Sequence, residues 1–141
     1  MDKLVASRSA RQGVLSRARP VQLSAVVDEA ALHRPFGDGE SMRSQAARLL
    51  EEAQRENVTL QVIPFGTGLH AGVVGAFTLL EYDGEPSLVG MEQLGASLLL
   101  DEDEHIRMYV DAWQSLQAVT LSPADSLELV RDLVVQLRTA S

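Results

Sequence analysis

Few side chains in this sequence have the type and spacing to do chemistry, and His70 is the foremost. It follows Pro64-Phe65-Gly66-Thr67-Gly68-Leu69 and precedes Ala71-Gly72, so glycines flank it at positions 68 and 72. Such glycines let a backbone adopt unusual φ and approach a ligand closely. An imidazole ordinarily titrates near physiological pH and can serve as a general acid or base. The same glycines suit a wide hairpin in which His70 is only structural. Asp28, Glu81 and Glu92, expected near strand ends, are the carboxylates that would complete an acid–base pair if the sheet brought them to the imidazole.

Other chemistries fit less well. There is no cysteine, which excludes disulfides, thiolate catalysis and thiolate zinc sites. His33, His70 and His105 are far apart and lack the i, i+4 spacing of a helical metal site, so no metal and no cofactor is expected. Asp101-Glu102-Asp103-Glu104-His105 lacks the spacing and glycine of a calcium loop and suits the start of a helix. Gly66-Thr67-Gly68 lacks the lysine and following helix of a phosphate loop. No G-x-S-x-G nucleophile elbow is present. Tyr109 and Trp113, one helical turn apart, read as core pieces before stacking platforms.

The elements that must position these residues belong to a chain of 141 residues, 45% apolar and 23% charged, ordinary for one soluble globular domain. Residues 1–57 carry nine basic and eight acidic side chains, a net of +1; residues 58–141 carry three and twelve, a net of −9. The second half would repel a phosphate backbone, so direct nucleic-acid binding by this chain is not expected. With no long apolar run and no signal-peptide pattern, no membrane association is expected and the location is read as cytoplasmic.

The pattern predicts a helix from Asp2 to about Ser16, with Leu4, Val5, Val14 and Leu15 as anchors and Gly13 weakening it. A half-buried strand over 21–27 and a loop from Arg34 to Gly39 follow. The next helix runs from Glu40 or Ser41 to Glu56, with Met42, Ala46, Leu49, Leu50 and Ala53 on one stripe and Asn57 as its stop. Strands are expected at Val58–Phe65, Ala76–Tyr82, Ser87–Glu92 and Ala96–Leu100, the middle two joined by Asp83-Gly84. Two helices close the chain, from Asp101 to Val119 and from the cap Ser122-Pro123-x-Asp125 onward. The expectation is a single α+β domain over 1–141, with a small, mostly antiparallel sheet of four to five strands and about four helices. The last two helices are expected to pair antiparallel.

Several segments carry a family resemblance: Arg11-Gln12, Asp28-Glu29-Ala30-Ala31-Leu32, Arg34-Pro35, Met42 and Leu49-Leu50-Glu51. The most specific are Asn57-Val58-Thr59, Gln61-Val62, Pro64-Phe65, Gly68-Leu69-His70-Ala71-Gly72 and Phe77-Thr78-Leu79-Leu80-Glu81; Leu121-Ser122-Pro123 and Ser126-Leu127 close the series. In these the chain is similar to the C-terminal domain of antitoxin-like helix-turn-helix (XRE-type) transcriptional regulators of actinobacteria, a domain with no settled activity. It departs from them in lacking the DNA-reading head and in reading Leu88-Val89-Gly90-Met91-Glu92 where Tyr-Val-Glu is usual. The resemblance implies a regulatory or interaction domain that binds a small protein partner or a small-molecule signal, with a homodimer also open. The alternative is a headless copy recruited as a small-molecule binder or as an acid–base enzyme, for example a cyclase or isomerase. The candidate binding residues are Phe65, Gly68, His70, Gly72, Phe77, Glu81, Glu92, Tyr109 and Trp113.

Overall fold

The chain opens with helix α1, Asp2–Gln12, which passes at Gly13 into a short 3-10 turn, Gly13–Leu15. The switch falls where glycine lowers helix propensity. The computed structural model describes residues 2–139, without the side chains of Asp2, Leu4 and Thr139. The expected anchor Leu4 therefore lies outside the described side chains. Strand β1 is Leu23–Asp28, followed by α2, Glu29–His33, α3, Gly39–Ala53, and β2, Val58–Ile63. Strands β3, Thr78–Tyr82, β4, Glu85–Gln93, and β5, Ala96–Leu100, precede α4, Asp103–Gln117, and α5, Pro123–Thr139.

The architecture is α+β, as the pattern predicts, but its five strands divide between two sheets: a parallel pair β1–β2 and an antiparallel sheet in the order β3–β4–β5. The division follows from the connections. Two helices lie between β1 and β2, and parallel neighbours require such a crossover, whereas β3, β4 and β5 are joined by tight turns. The described residues form two compact units, 2–62 with 121–139, and 63–120.

In the first unit, Asp38 caps α3 by accepting the Ser41 N–H at 2.8 Å, and Asp28 caps α2 by accepting that of Ala30 at 2.8 Å. Helix α3 ends at Ala53, earlier than expected. Asn57 instead ties distant chain together: its amide donates to the carbonyls of Leu15, at 3.1 Å, and Val21, at 2.9 Å. The core joins Ala53, Leu60, Val62 and Val130, with Leu49 and Leu127 against them. A neighbouring cluster joins Ala46, Leu133 and Val134. Helix α5 thus finds its packing partner in α3, which the short link after α4 does not foretell; α4 belongs to the second unit.

In the second unit, Asp83-Gly84 turns β3 into β4, with Gly84 at φ +77°, a conformation favouring glycine. A register shift between Leu80 and Tyr82 marks a β-bulge beside that turn. Leu94-Gly95 turns β4 into β5, with Gln93 opposite Ala96. Helix α4 packs on β4 and on the 3-10 turn Ala71–Val74. Val89 and Leu116 are the buried apolar side chains of this sheet and helix.

Candidate functional site

The second unit contains a cavity of about 570 Å³, within the range of small-molecule sites. Its walls come from three places. The 3-10 turn and the chain leading to β3 give Val74, Gly75 and Phe77; β4 gives Met91 and Glu92; α4 gives Met108, Tyr109 and Ala112. Each element is placed by ordinary patterning. Met108 and Ala112 are four apart on α4 and share a face with Tyr109. Met91 and Gln93, two apart, fall on one face of β4, and the turn Ala71–Val74 packs on the helix.

Tyr109 organises the wall. Its ring meets Phe77 edge-on, with centroids 5.0 Å apart and planes at 62°. Its hydroxyl donates to the Met91 Sδ at 3.0 Å. The phenol is therefore held at both ends, by an aromatic edge and a polarisable thioether. What remains toward the cavity is mainly ring, thioether and methyl surface, with Glu92 and Gln93 supplying polar groups. That lining suits a molecule with an apolar body and one or two polar groups.

Of the sequence-predicted residues, Phe77, Glu92 and Tyr109 meet in this lining. His70 does not line it. The imidazole caps the 3-10 turn, its Nδ1 accepting the Gly72 N–H at 3.2 Å. That contact fixes the tautomer: the neutral ring carries its proton on Nε2. A Cβ at Gly72 would lie 3.1 Å from the His70 ring and 3.5 Å from Leu116, so the imidazole would have to give way slightly to any larger residue there. Gly68 takes φ +81° in the loop. Phe65 is exposed, Glu81 is exposed on β3, and Trp113 is half-buried on α4. Asp28, in the first unit, spends a carboxylate oxygen on the α2 cap.

Sequence reasoning missed Met91, Met108, Ala112 and Val74. The signal was present for two of them, since Met108 and Ala112 carry the i, i+4 spacing beside Tyr109. The loop also leaves Phe65, Leu69, Val73 and Val74 well exposed, Leu69 at 93%. Among the described residues no three His, Asp or Glu side chains converge as a metal site would. No helix of the described residues is long and apolar enough to cross a membrane.

A family model described as Domain of unknown function (DUF5753) matches residues 1–132. No curated protein and no solved structure matches the chain.

Proposed function

We propose that this chain, which belongs to the DUF5753 family, is a cytoplasmic regulatory domain that takes up a small, mainly apolar signal molecule between β4 and α4. Its role would be that of the C-terminal module of an antitoxin-like XRE-type regulator, with no direct contact to nucleic acid. The observation that carries the reading is the cavity of about 570 Å³ walled by Phe77, Met91, Met108 and Tyr109. Apolar burial supplies affinity and Glu92 with Gln93 supplies orientation. The acid–base alternative draws less support, because the His70 imidazole is turned onto Gly72 and outside the lining.

The test uses a neutral apolar probe, N-phenyl-1-naphthylamine, followed by its own fluorescence and by that of the single tryptophan, Trp113. Saturable binding at one site is expected, weakened in Ala112→Trp, whose indole intrudes into the cavity. Undiminished binding to a folded Ala112→Trp protein would remove the proposal.

The exposed Phe65, Leu69, Val73 and Val74 favour a second reading, in which the loop crest holds a small protein partner. Exposed apolar side chains close in sequence are the kind of surface from which the core of a protein contact is built. Leu69→Asp separates the readings: it should abolish co-purification with a neighbouring small protein while leaving probe binding intact.

A further inference from the structure

We infer that β5 is a self-association edge, pairing antiparallel with β5 of a second copy about a two-fold axis at Leu98. In the sheet order β3–β4–β5, no strand among the described residues pairs with the outer side of β5. Residues Ala96, Ser97, Leu98 and Leu99 are all exposed, Leu98 at 50% and Leu99 at 64%. Soluble proteins ordinarily guard such an edge with charge, proline or a bulge. The segment Ala96-Ser97-Leu98-Leu99-Leu100 has neither charge nor proline, and its register with β4 is unbroken.

The register says which backbone groups are on offer. Gln93 faces Ala96 across a two-residue turn, Met91 faces Leu98, and Val89 faces Leu100. The closing pair of such a turn exchanges hydrogen bonds, and in an antiparallel ladder bonded and unbonded pairs alternate. Ala96, Leu98 and Leu100 therefore bond inward to β4. Ser97 and Leu99 direct both N–H and C=O outward.

Antiparallel self-pairing about Leu98 uses all of these groups. Ser97 meets Leu99 of the partner subunit and Leu99 meets Ser97 of the partner subunit, giving four main-chain bonds. Leu98 meets Leu98 of the partner subunit at an unbonded position, where side chains approach most closely. Charge selects the direction. The run Asp101-Glu102-Asp103-Glu104 follows β5 directly. A parallel partner would set that run beside its own copy, whereas the antiparallel arrangement places Asp101 opposite Gly95 of the partner subunit and sends the two acidic runs to opposite ends. The contact is short and the chain carries a net charge of −8. The dimer is consequently weak, and it tightens as salt screens the repulsion.

The test is sedimentation velocity of the full chain from micromolar to millimolar concentration, at low and high salt, combined with amide hydrogen exchange. A monomer–dimer equilibrium favoured by salt is expected. The Ser97 and Leu99 amides gain protection with concentration, while Leu98, already bonded to β4, does not change. Ser97→Pro removes one outward donor per chain without touching the β4 ladder. It should weaken the dimer about tenfold or more. Leu98→Lys, which sets two cations together at the axis, serves as a second probe. A monomer throughout, a dimer indifferent to both variants, or protection gained only on adding a foreign strand-forming peptide would each overturn the inference.

Discussion

The hydroxyl of Ser126 on α5 accepts the backbone N–H of Val62 on β2 at 2.9 Å, and both residues are wholly buried. A strand-edge N–H in the core thus receives its partner from a helix side chain. Ser126→Ala leaves that donor without an acceptor in an apolar site. We expect a loss of about 2 kcal/mol, the order of cost of a buried unsatisfied group. Urea denaturation checks it; a loss of a few tenths would mean that the N–H finds another acceptor.

Ser122 and Asp125 begin α5 reciprocally. The Ser122 Oγ accepts the Asp125 N–H at 3.1 Å and donates to the Asp125 carboxylate at 2.7 Å. Ser122→Ala should cost about 1 kcal/mol, the usual value of an N-cap, and Ser122→Asp should recover most of it. Thermal unfolding of the two variants side by side decides the matter.

His70 and Gly72 form one unit, so each should betray the other. His70→Ala removes the acceptor of the Gly72 N–H. The Gly72 amide should then exchange about fivefold faster, the equivalent of one exposed hydrogen bond, with little change in overall stability. Gly72→Ala should shift the His70 ring resonances, because its new methyl would press on the imidazole. Unchanged exchange in His70→Ala would show that the loop is held by other contacts.

Asp38 gives a pH signature. Its carboxyl is held below the ordinary value of 3.8, first by the Ser41 hydroxyl and then by the Ser41 backbone N–H. A depressed folded value means that the charged cap stabilises α3 above the unfolded value and that this contribution fades as pH falls through the folded one. The NMR titration midpoint of Asp38 should therefore lie below 3.8. Asp38→Asn, which keeps an N-cap acceptor without the titration, should lose less α3 helicity than the parent chain in that acid window. A midpoint at or above the ordinary value would contradict the cap.

Much of this was legible in the residues. The α3 stripe through Ala46, Leu49, Leu50 and Ala53, the Ser122 cap and the Asp-Gly turn all follow from local rules, and β5 falls on its predicted residues. The failures were long-range. Asn57 read as a helix stop because local pattern cannot see Leu15 and Val21 coming to its amide. Ser126 stood out only as part of the family resemblance and not for its bond to Val62: a serine on an apolar helix stripe looks tolerated until a buried N–H faces it. The strand pattern gave no sign that β1 and β2 would leave the others. In the cavity, Phe77, Glu92 and Tyr109 were candidates from the residues, whereas Met91 and Met108, flexible thioethers with no chemistry of their own, were not. His70 attracted attention by its chemistry and proved to hold its own loop.

The Leu121 N–H donates to the Val62 carbonyl at 2.9 Å. The chain therefore leaves the first unit and returns to it at one clasp, with the second unit spliced between. The first unit is thereby closed at its own border by a main-chain bond, so the long segment 63–120 joins it through two neighbouring points of the chain. Loop-closure entropy grows only slowly with length, and the length of that segment accordingly weighs little on the first unit once the clasp is made.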